Sequence, residues 1–197
     1  MEITAEKIMQ QLSAGTQVAG VIAVFGEEGY YKDKIAAALP RAVFGDAAPE
    51  DREITVFERD TDIKEASAAV NTYPFFSGRS LVIIKDEKLW GGKDGGEKRK
   101  QQQEELAELL ADVPEHCQVL LLGEKIDKRG KLYKSLLKTA AMVECKSLKS
   151  YQLKPWLDEQ AALRGCRFDY EASQTIMEYL SVTDNAPLLL LEQEIEK

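Results

Sequence analysis

Three unbroken apolar runs constrain this chain most: Val18–Phe25, Ser80–Ile84 and Gln118–Leu122. A strand with one wet face alternates apolar and polar residues, whereas a run with no polar interruption needs cover on both faces. Glu53–Phe57 and the shorter Met142–Cys145 have the same extended character. Helical patterns lie between them: Thr4–Leu12, Tyr30–Leu39 stopped by Pro40, a helix opened by Asp62 with Ile63, Ala66 and Val70 on one face, Glu97–Asp112, and Lys131–Thr139. Strands alternating with helices predict an α/β domain over residues 1–150, a five-stranded parallel sheet with helices on both faces.

The alternation stops near Ser147, and from Leu153 only helices follow. The first carries Pro155 near its start and ends at Gly165. The second spans Glu171–Leu180, with Ala172, Ile176 and Leu180 on one face. The third carries Leu188, Leu191 and Ile195. Residues 151–197 are therefore expected to form a small helical domain. The last helix reaches Lys197 without a stop signal, so a further domain is expected beyond it.

The stretch Tyr73-Pro74-Phe75-Phe76-Ser77-Gly78-Arg79 leads into the third predicted strand. Pro74 ends the preceding helix, because the residue before a proline is driven out of the helical region. Neighbouring side chains on an extended segment point to opposite sides. Two readings follow: at least one phenylalanine ring faces solvent or a partner, or both rings plug the bottom of the sheet.

Val18–Leu39 has the strand, glycine turn and helix of a phosphate-binding loop. The working pattern, G-x-x-x-x-G-K-[ST], uses glycines for close backbone approach, a lysine on the phosphates and a hydroxyl on magnesium. Counted from Gly26, Lys32 falls in register, but Tyr31 replaces the second glycine and Asp33 the hydroxyl. Glu27 and Glu28 bring negative charge to a helix N-terminus that would otherwise attract phosphate. The loop is read as degenerate, a plain strand-turn-helix with Lys32 in solvent. Asp86-Glu87, after the third strand, stands where nucleotide-hydrolysing folds hold magnesium, but Lys85 interrupts that pattern and a solvated strand end is expected. Neither a catalytic set nor a metal site is expected. His116 is the one histidine, and the three cysteines (Cys117, Cys145, Cys166) form no CxxC pair and are read as buried free thiols. No nucleotide or other cofactor is expected.

Lys125, Lys128, Arg129, Lys131, Lys134 and Lys138 cluster after the fourth strand, with Lys131, Lys134 and Lys138 on one helical face. That face would suit phosphates or an acidic subunit, or be an ordinary solvated surface. The net charge of −8 favours protein partners over unaided nucleic-acid binding. No run approaches the ~18 apolar residues a membrane span needs. The acidic start lacks a signal-peptide layout, so a cytoplasmic protein is expected.

The ordered set Val24-Phe25-Gly26-Glu27-Glu28, Pro74-Phe75-Phe76-Ser77-Gly78-Arg79 and Val119-Leu120-Leu121-Leu122 resembles the delta subunits of bacterial replicative clamp loaders. Glu194-Ile195-Glu196-Lys197 also matches that family's third lid helix. The resemblance implies an AAA+-related fold that does not hydrolyse ATP itself, although it works within a DNA polymerase holoenzyme. It implies binding to the sliding clamp (the beta subunit) through Pro74, Phe75, Phe76, Ser77 and Arg79, and promotion of ring opening. It also implies a helical lid domain, and a collar domain beyond Lys197 through which other loader subunits assemble. DNA would be met only within that complex. The alternatives are an active AAA+-type ATPase, or a DNA-binding module using the basic 125–138 region.

Overall fold

The computed structural model describes residues 1–15, 19–86, 96–181 and 188–195. Val18, Glu87, Gly91, Gly92, Gly95, Glu196 and Lys197, and the side chain of Leu180, lie outside what it describes. The chain divides into two compact units, Met1–Cys145 and Lys146–Lys197.

The first unit is built on a parallel sheet of β1 (Glu2–Ile3), β2 (Val21–Phe25), β3 (Glu53–Glu58), β4 (Ser80–Lys85), β5 (Cys117–Gly123) and β6 (Ala140–Glu144), in the order β1-β6-β2-β5-β4-β3. The helices are α1 (Ala5–Ser13), α2 (Gly29–Phe44), α3 (Ile63–Asn71), α4 (Gly96–Leu109) and α5 (Lys131–Thr139). Val21, Ala23 and Phe25 of β2 join one core with Val82, Ile84, Val119 and Leu121, under Ile63, Ala66 and Val70 of α3, Leu106 of α4 and Leu136 of α5. The intervening Ile22 and Val24 are also fully buried, as are Ile8 of α1 and Ile35 and Leu39 of α2. Burial on both faces is why these strands read as unbroken apolar runs.

The sheet has six strands, not five. The extra one, β1, pairs Glu2 with Met142 and Ile3 with Val143, and the Met142 N–H donates to the Met1 carbonyl at 2.8 Å. The Tyr133 hydroxyl of α5 donates to Glu2 Oε1 at 3.0 Å and ties β1 to that helix. Two residues are too few to leave a periodic trace in the sequence.

Pro40 does not stop α2. It removes a single ladder bond, and burial of Leu39 before it and Phe44 after it carries the helix on to Gly45. That glycine, at φ +58 and ψ −127, takes a conformation that side chains disfavour, and its N–H donates to the Arg41 carbonyl at 2.8 Å to close the last turn.

In the second unit, α6 (Ser150–Leu163), α7 (Tyr170–Ser181) and α8 (Leu188–Ile195) follow one another. The first starts earlier than the sequence suggests, with Pro155 inside it. It buries Leu153, Trp156, Leu157 and Ala161, and α8 buries Leu188 and Leu191. Arg164 donates to Glu192 at 3.0 Å.

The thiols divide. Cys117 and Cys145 are buried, whereas Cys166, just past the end of α6, is exposed, contrary to the sequence reading. Burial pushes the Cys145 thiol up to about 12 and also raises that of Cys117. Only the thiolate reacts, so at pH 8 a thiol reagent is expected to label Cys166 in the native chain, and all three cysteines after denaturation. The pH consequence has a definite sign. The unfolded Cys145 thiol ionises near 9 and the folded one near 12, so its contribution to stability is complete below pH 9 and declines as pH rises toward 12.

Candidate protein-interaction site

Helix α3 ends because the chain turns extended at Thr72, whose N–H and hydroxyl both bond the Ala68 carbonyl, at 2.9 and 2.7 Å. Tyr73 meets His116 with the rings tilted by 58° and their centroids 5.1 Å apart, and Pro74 is buried. The two residues that follow point away from the protein. Phe75 is 88% exposed and Phe76 68%, their rings meeting edge to face at 5.2 Å. The reading in which both rings plug the sheet is therefore overturned. The segment from Phe75 to Gly78 is a run of bends rather than an extended strand, so the alternation of neighbouring side chains does not hold there, and both rings reach solvent together.

The loop is also tied down. The backbone N–H groups of Phe75 and Phe76 both donate to Glu53 Oε1, the second at 2.9 Å. Glu53 opens β3 and stands in register with Ser80, where the loop enters β4. Beyond the rings, Ser77 Oγ donates to the Arg79 carbonyl at 2.7 Å, and the Arg79 side chain is exposed. Sequence reasoning missed Glu53, because nothing local marks a carboxylate as the partner of amides 22 and 23 positions later.

The degenerate phosphate loop is occupied by its own side chains. Glu28 caps α2, and its Oε1 accepts from the Tyr30 N–H at 3.0 Å, so a carboxylate sits where an anionic ligand would bind. Lys32 is not in solvent: its ammonium donates to the Gly26 carbonyl at 2.9 Å and is half-buried. Tyr31 is buried against Tyr30. Asp86 is not a solvated strand end either. It is 2% exposed and accepts from the Thr61 N–H at 2.7 Å, fastening the end of β4 to the turn before α3. Removing one partner of a buried bond leaves the other unsatisfied. The Asp86→Ala variant is expected to lose about 1–3 kcal/mol of stability in denaturant unfolding.

The basic stretch is partly neutralised from within. Lys131 bonds Glu104 at 2.6 Å, which raises its ammonium above the ordinary lysine range, and Lys128 bonds Glu144 at 2.8 Å. Lys134 and Lys138 are exposed on the same helix. Among the described residues there is no cluster of His, Cys, Asp or Glu that could hold a metal ion, and no helix long and apolar enough to cross a membrane.

The first unit is thus an α/β unit on a parallel sheet, with a glycine turn and helix after β2. A Thermotoga maritima protein related to the gamma subunit of DNA polymerase III shares that fold, with a TM-score of 0.50 at 16% identity over 80% of this chain and 50% of its own. The family model for DNA polymerase III, delta subunit, matches residues 25–146, and the chain belongs to that family. It is 28% identical over 184 residues to the DNA polymerase III subunit delta of Bacillus subtilis, covering 92% of this chain and 52% of the relative. The structure of the Bacillus subtilis DNA clamp loader delta protein superposes with a TM-score of 0.77 at 25% identity, over 98% of this chain and 56% of that one. The chain thus spans about half the length of these relatives.

Proposed function

We propose that the chain serves in DNA replication as a clamp-loader subunit that binds the sliding clamp and favours opening of the ring, without hydrolysing ATP itself. The observation that carries this reading is the outward display of Phe75 and Phe76 on a loop held by Glu53, with Pro74, Ser77 and Arg79 flanking them. Paired aromatic side chains are the usual anchors of a protein interface. Ring opening by binding asks only that the contact be stronger in the open state of the clamp.

Nucleotide has no part in this contact. Glu28 and Lys32 satisfy each end of the loop where triphosphate would lie, and Asp86 is engaged by Thr61. In this reading the helices of the second unit form a lid domain. Other loader subunits meet the part of the family's length that this chain does not span, DNA is met only within the assembled complex, and the protein works in the cytoplasm. The test is retention of purified sliding clamp on the immobilised chain with no nucleotide present. Retention supports the reading. Failure to retain the clamp, or retention that requires ATP and magnesium, overturns it.

A further inference from the structure

We propose that Glu53 is the positioning residue that presents Phe75 and Phe76 to their partner; this rests on reading the loop as the clamp-binding element. Pro74 has no N–H to give, so the first donors after Tyr73 are those of Phe75 and Phe76. One carboxylate oxygen takes both. Charge-assisted bonds of this kind are shorter and stronger than neutral ones. The two bonds fix the backbone at both residues, and with it the direction in which each Cα–Cβ bond leaves the loop. The loop that carries the ring pair is therefore held outward before any partner arrives, and the backbone ordering cost that an untethered loop would meet on binding is already met in the fold. The carboxylate belongs to the first residue of the sheet's edge strand β3, and a strand places a binding group better than a second loop would.

The role is separable from plain support of the fold. Glu53→Ala is expected to weaken clamp binding about tenfold, to speed hydrogen exchange at the Phe75 and Phe76 amides, and to leave the thermal midpoint unchanged. Glu53→Gln keeps an oxygen acceptor at the same place and is expected to recover most of the affinity. If Glu53 acts through the rings, Glu53→Ala costs less in a Phe75→Ala background than in the native chain. Native affinity in Glu53→Ala, or failure of Glu53→Gln to recover binding, overturns the role of Glu53. The Phe75→Ala/Phe76→Ala variant provides the control. Its loss of binding beside an unaffected Glu53→Ala leaves the site reading standing without Glu53. Native affinity in that double variant overturns the site reading, and the role of Glu53 with it.

Discussion

Replacing Phe75 and Phe76 together by alanine is expected to abolish measurable binding to the sliding clamp while leaving the fold unchanged. Burying an exposed phenylalanine is worth about 1.5–3 kcal/mol. Two rings supply roughly 3–6 kcal/mol, or about two to four decades in affinity. The cost to the free protein is small, because neither ring contributes to the core: they are 88% and 68% exposed and touch each other. The backbone ties to Glu53 involve amides that alanine retains. The thermal midpoint of the double variant should therefore match the native one, while its titration against clamp is flat. A large drop in that midpoint would mean that the rings support the fold.

The second large effect lies at the old phosphate loop and concerns stability alone. Gly26 adopts φ +132, and a Cβ there would lie 2.0 Å from the carbonyl oxygen of Cys145. The obstacle is backbone, and it is held on both sides. The Cys145 N–H donates to the Phe25 carbonyl at 2.6 Å, and its carbonyl accepts from the Glu28 N–H at 3.1 Å. Neither strand end can retreat without breaking a bond. Gly26→Ala is expected to cost about 3 kcal/mol or more, combining backbone strain with a clash that cannot relax. Chemical denaturation would register this as a lower midpoint with an unchanged slope. The glycine that suggested phosphate approach is thus required by the passage of β6 beside β2. A stability loss below about 1 kcal/mol would show that the two strand ends yield more easily than their hydrogen bonds suggest.

What the sequence disclosed follows from where each residue's partners lie. The strands β2, β4 and β5 were legible because burial on both faces writes an unbroken apolar run. Helix α3 was legible because Asp62, Ile63, Ala66 and Val70 act within one helix. The first strand left no pattern, since its two residues are stabilised by pairing with β6, far along the chain. Pro40 misled because the burial of Leu39 and Phe44 outweighs one missing hydrogen bond. At the candidate site, the two phenylalanines between turn residues could be singled out from local chemistry, but not the direction in which they point. That direction depends on the bends that follow the buried Pro74 and on Glu53 reaching across from β3. The fates of Lys32 and Asp86 were missed for the same reason. Each is satisfied by a backbone group, Gly26 O and Thr61 N, that only the folded chain brings near.

In the proposed function the outward rings make the contact with the clamp, and no nucleotide takes part. Equilibrium titration of purified clamp into the native chain and into the Phe75→Ala/Phe76→Ala variant, with no ATP present, tests it directly. Saturable binding by the native chain, weakened at least about a hundredfold in the variant, is the predicted result. Equal affinity in the two proteins would contradict it.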